Sequence, residues 1–150
     1  MRNALKAASL SIVFLAAVTA VAIGADDVKQ PLTPQQRMQA RYPQPVRVGD
    51  LIGLPLLDDS HRTLGHVREV VRTTSDKIEL IVDYNGLFGF FGWDTRPVAV
   101  PIEVVGIRGR ELASLDMPRG EYASAPTWRK NGDTVLPQNA TIRVALTRGY

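Results

Sequence analysis

The sequence predicts an all-β domain, a small barrel or sandwich of short strands. Its clearest strand is Lys77 to Tyr84, where Ile78, Leu80 and Val82 point one way and Glu79, Ile81 and Asp83 the other. That two-residue period is what a half-buried strand requires, because successive side chains leave a pleated backbone on opposite faces. Further short runs rich in β-branched residues recur along the chain, split by clusters of Gly, Pro, Asp, Asn and Ser, the residues that favour turns. No strand alternates with a long amphipathic helical pattern, which argues against βαβ units.

Taken in order, Met1 to Ala25 carries the three parts of a secretory signal. Arg2 and Lys6 make the positive start, Ala7 to about Val18 the apolar run, and Ala20-Val21-Ala22 or Gly24-Ala25 the small residues for cleavage after Ala22 or Ala25. A spanning anchor is the rival reading, but the run is short for a bilayer and acids follow it. The expected location is therefore periplasmic or secreted, with no stable membrane span after cleavage. Residues 26–45 hold four prolines and five glutamines and read as a linker. Within it, Thr33, Pro34 and Gln36 form a capping-box pattern that predicts a short helix over Pro34 to Arg41.

The folded domain is expected from Val46. Val46, Val48, Leu51 and Ile52 flank Gly49-Asp50, and Leu54, Leu56 and Leu57 surround Pro55. This is two short strands or one bent one, with Pro55 marking an edge or a bulge. Asp58 to His61 is a turn, Thr63 to Thr73 a strand interrupted by Glu69, and Thr74-Ser75-Asp76 a turn into Lys77 to Tyr84. After the stretch Gly86 to Pro101, whose Val98 and Val100 resume the alternation, the apolar run continues through Ile102, Val104 and Val105. Leu112 to Met117 is a weaker strand, Glu121 to Gln138 reads as irregular, and Thr141 to Thr147 is the last strand, with Ile142, Val144 and Leu146 on one face.

Composition narrows the function classes. A chain of 150 residues suits one modest domain. Removing Arg2 and Lys6 with the leader leaves 16 basic residues against 15 acidic ones, so the electrostatic case for nucleic-acid binding disappears. The chain has no cysteine, which excludes disulfides, thiolate catalysis and cysteine-ligated metals.

The segments Val48-Gly49-Asp50-Leu51-Ile52-Gly53, Asp58-Asp59, Leu64-Gly65-His66-Val67-Arg68-Glu69-Val70-Val71, Lys77 to Val82, Pro97-Val98-Ala99-Val100-Pro101 and Ala125-Pro126-Thr127-Trp128 resemble, in that order, a PRC-barrel domain. The resemblance implies a small β-barrel over residues 46–128, with residues 129–150 a C-terminal extension that adds one strand. It also implies a binding or assembly module. Ser60-His61 stands where the family's acidic turn usually carries a left-handed glycine, so that turn is expected to differ in geometry.

The most unusual stretch is the glycine-punctuated aromatic connection with Leu87, Phe88, Phe90, Phe91 and Trp93. Exposed, it is a partner-binding patch; buried, it plugs one end of the barrel. His61 and His66 near Asp58 and Asp59 are too few for a metal site. Asp83, Asp94 and Glu103 show no acid–base spacing, no nucleophile, phosphate or dinucleotide motif is present, and Asn139-Ala140-Thr141 is a chance-prone glycosylation triplet. The expected protein is a non-enzymatic envelope module without cofactor or metal, binding a protein partner or itself. A binder of small apolar ligands at the barrel mouth is the alternative.

Overall fold

The computed structural model describes residues 30–86 and 95–147. Helix α1 (Pro34–Ala40) has the expected capping box, with the Gln36 N–H donating to Thr33 Oγ1 and the Thr33 N–H to Gln36 Oε1. It is no free linker: Met38 is buried in the core, and Arg41 forks onto Asp116 at 2.6 and 3.1 Å. Strand β1 (Gln44–Arg47) follows, then a single helical turn α2 (Val48–Leu51) and β2 (Pro55–Leu57), so the opening apolar segment is two strands. The remaining elements are β3 (Thr63–Arg72), β4 (Ile78–Asn85), β5 (Thr95–Pro101), a 3₁₀ turn (Ile102–Val104), β6 (Val105–Arg108), β7 (Glu111–Ser114), α3 (Arg119–Ser124), β8 (Thr134–Val135) and β9 (Thr141–Leu146).

The described strands form one mainly antiparallel sheet in the order β1-β9-β6-β7-β2-β3-β4-β5, with β8 added to β3. The β9–β6 and β2–β7 pairs are parallel. The all-β class therefore holds. The expected closure does not: β1 and β5 end the path, and no ladder among the described residues joins them.

Proline accounts for those ends. On β5 the Pro97 carbonyl points outward, accepting the Trp128 N–H at 2.7 Å. Residues on one edge alternate along a strand, so Ala99 and Pro101 share that outward register and both prolines lack a donor. On β1 the Val48 N–H reaches Ala140, which puts Pro45 and Arg47 on the outward register. Each end of the sheet thus offers few N–H groups for another strand, a standard defence against edge pairing.

Beside β4, a bulge explains the irregular pattern of β3. Val67 pairs with Val82 and Glu69 with Ile81, leaving Arg68 as the extra residue. The insertion returns Val70 to the face of Val67, where both meet Leu80, Val82, Val98 and Val100 in the core. Gly65 permits the close approach of β3 and β4, since a Cβ there would run into the Asp83 carbonyl. Pro55 itself pairs regularly with His66; the bulge lies just beyond it, where Leu56 pairs with Gly65 and Leu57 with Thr63, leaving Leu64 of β3 as the extra residue. A two-residue hairpin turn with Gly109 at φ +65° joins β6 to β7, the position where such a turn calls for glycine.

Three expectations change. Leu146 is exposed while Ala145 is buried, so only Ile142 and Val144 of the proposed face point inward. The segment expected to be irregular takes in most of α3 and all of β8. The acidic turn keeps the left-handed geometry without glycine, because His61 itself sits at φ +60°. Asp58 N–H bonds Arg62 O and His61 N–H bonds Asp58 O, the three-residue loop that ends in a left-handed residue. Thr73 to Lys77 repeats it with Asp76 at φ +62°.

Candidate functional site

The sequence-predicted residues Leu87, Phe88, Phe90, Phe91 and Trp93 lie outside the described residues, as does Asp94. Their supports are described. The connection leaves Asn85 at the end of β4 and returns at Thr95, whose hydroxyl donates to Asn85 Oδ1 at 3.2 Å. Next to it, Arg96 donates from Nη2 to the Tyr122 and Ala123 carbonyls at 2.9 and 2.6 Å, and from Nη1 to that of Ala125. These include terminal carbonyls of α3 that have no partner within the helix. The guanidinium also lies 5.6 Å from the centroid of Tyr84, which stacks on the buried Tyr122 at 6.2 Å. Arg96 thus fastens the base of the aromatic connection to α3 by hydrogen bonds and a cation–π contact. Both terminal nitrogens of its guanidinium are engaged by backbone carbonyls.

Tyr122 continues the network inward, its hydroxyl 2.7 Å from Ser114 Oγ, which donates to the Met117 carbonyl at 2.6 Å. Burial pushes the Tyr122 phenol up to about 12, with the Ser114 hydrogen bond opposing and the Glu121 charge adding to the rise. That phenol is a poor proton donor near neutrality.

Two carboxylates held below their ordinary range, Asp58 and Asp116, border one cleft of about 290 Å³. Asp58 Oδ1 accepts the Ser60 and Arg62 N–H groups at 3.0 and 2.8 Å, and Oδ2 accepts Arg119 Nε at 2.9 Å. Burial alone would raise this carboxyl; the Arg119 bond, the Arg62 N–H and both guanidinium charges outweigh it and hold it at about 2. The Arg41 hydrogen bond likewise depresses Asp116 against its burial, with Arg37 adding charge. Both stay ionised and internally paired, which suits clamps better than acids or bases. Glu79 is raised, first by burial and then by the charges of Asp133 and Glu103.

The sequence-neighbouring histidines are not brought together. His61 Nε2 lies 2.9 Å from Arg108 Nη1, whereas His66 is exposed on β3, paired with Pro55 and Asp83. Among the described residues no three His, Asp or Glu side chains converge to hold a metal ion.

Sequence reasoning missed a second feature, a strap over residues 126–136. It starts on the outer edge of β5 through Trp128 and ends on β3, where Val135 pairs with Val71 and the Leu136 N–H reaches the Val70 carbonyl. Trp128 donates from Nε1 to Asp133 at 3.0 Å, and the Arg68 guanidinium lies 5.7 Å from its ring centroid. A cleft of about 430 Å³ opens here, with Thr74, Ala99, Trp128, Asn131 and Asp133 among its walls. The available signal was Trp128 followed closely by the turn residues Asn131-Gly132-Asp133.

Compared with known proteins, the chain matches no family model and no curated protein. Among the described residues no helix is long and apolar enough to cross a membrane.

Proposed function

We propose that this chain is an exported, non-enzymatic binding or assembly module of PRC-barrel type in the bacterial cell envelope. It engages a protein partner or a second copy of itself through the aromatic connection that carries Leu87, Phe88, Phe90, Phe91 and Trp93. The observation that carries this reading is the way Arg96 fastens the base of that connection to α3. A binding loop gains affinity when its supports are ordered before the partner arrives. The proline-blunted ends of the sheet also favour the loop over strand addition at an edge. A small apolar ligand has less support, because the described strands do not close into a barrel with a mouth and the core positions Leu80, Val82 and Val98 are fully buried.

The test compares the mature protein with a Phe90→Ala, Phe91→Ala double variant by sedimentation and by cross-linking in envelope extract. Circular dichroism establishes folding of both. Loss of self-association, or of one reproducible cross-linked partner, in a folded variant supports the proposal. Unchanged association in a folded variant refutes it, and a variant that cannot fold returns the aromatics to the core.

A further inference from the structure

We infer that the cleft beside the strap recognises a neutral oligosaccharide, with Trp128 as its stacking platform. The first argument is preorganisation. Trp128 is half-buried, yet its backbone N–H is bound by Pro97, its indole N–H by Asp133, and the Arg68 guanidinium lies over one side of its ring. An aromatic side chain held in this way loses little further freedom on binding, while its ring still offers apolar surface. The strap's tip is equally constrained. Asn131 N–H bonds the Arg129 carbonyl at 2.8 Å, and Gly132 takes φ +82° close against Thr74.

The second argument is the chemistry of the walls. Thr74 and Thr127 offer hydroxyls, Asn131 an amide, Arg129 a guanidinium and Asp133 a carboxylate. Together they provide both donors and acceptors, and the one positive and one negative charge offset each other. A phosphate or a nucleic acid asks for an excess of cations, and a divalent metal for convergent oxygens. A polyhydroxylated ring, donating and accepting around its rim and apolar on its face, matches this mixture. The cleft volume of about 430 Å³ falls within the range of small-ligand sites. By contrast, the carboxylates of the Asp58–Asp116 cleft are already occupied by the protein's own arginines.

The described walls of this cleft come from the β3–β4 turn, β5 and the strap, and the cleft is tested apart from the aromatic connection. Trp93 and Trp128 are the two tryptophans of the chain, and Trp128→Phe assigns their indole N–H signals by NMR. Triacetylchitotriose, cellotriose and maltotriose are titrated to millimolar concentration into the mature protein. The expected result is a saturable shift of the Trp128 indole signal with at least one of them, unchanged by Phe90→Ala, Phe91→Ala. Asn131→Ala, which removes a cleft side chain with no hydrogen bond of its own to the described residues, is expected to weaken binding at least tenfold, about one strong hydrogen bond's worth. Trp128→Ala should abolish it; if that variant fails to fold, Asn131→Ala decides. No shift with any of the three sugars, or undiminished binding by Asn131→Ala, overturns the assignment.

Discussion

Replacing Asp58 with asparagine is expected to remove about 2 kcal/mol of stability at neutral pH, and the loss is expected to vanish in acid. The side chain is only 2% exposed and holds Arg119 at 2.9 Å while accepting two backbone N–H groups. Its carboxyl lies at about 2 rather than 3.8, a depression worth about 2 kcal/mol when each pH unit is worth about 1.4. The Arg62 guanidinium is 64% exposed and its ion pair is screened, so Arg119 and the Arg62 N–H supply most of this. The pKa is depressed in the folded state. Its contribution is therefore complete above the unfolded value near 4 and disappears as pH falls through 2. Urea unfolding followed by circular dichroism at about pH 7, 4 and 2 measures the gap between wild type and Asp58→Asn. Asp116 titrates in both proteins and cancels. A gap below about 0.5 kcal/mol at neutral pH, or one that persists undiminished in acid, would refute the clamp.

Gly65→Ala is expected to cost about 3 kcal/mol or more in urea unfolding, because the added methyl meets the backbone of Asp83 and cannot turn aside. His61→Gly should be neutral or up to about 1 kcal/mol stabilising, as glycine takes φ +60° without strain, whereas His61→Val should destabilise by about 1–2 kcal/mol; Tm compares them. Ultraviolet titration of the tyrosines should show one phenol, absent in Tyr122→Phe, ionising only near 12. This raised group stabilises the fold fully below about 10, and its contribution is lost as pH rises through 12.

The strands that alternate cleanly were legible from sequence, because β5 buries Val98 and Val100 on one face and β4 buries Leu80 and Val82 on one face, although Ile81 on the other face of β4 is buried too. The β3 strand was legible only as a run, since the Arg68 bulge resets the period. What escaped depends on partners distant in the chain. α3 is a turn and a half of helix containing Gly120, too short to persist alone; buried Tyr122 and the Arg96 hydrogen bonds to its carbonyls hold it. No local pattern announces that Asp58 meets Arg119, or that Trp128 lies against β5. The turn at His61 keeps a left-handed residue without glycine, because histidine is among the residues that enter this region more readily.

The position of β9 has a consequence for the order of assembly. Read from sequence as an added strand, it lies between β1 and β6, pairing Thr141 with Arg47 and Ala145 with Gly106. A chain emerging N-terminus first cannot join β1 to the rest of the sheet until residues near 140 have followed. Until then β1 has no neighbour and β6 has an open side, so an interrupted chain would offer proteases and chaperones two unpaired strands. Losing the last strand would detach the first one as well, making these distant segments a single unit of quality control.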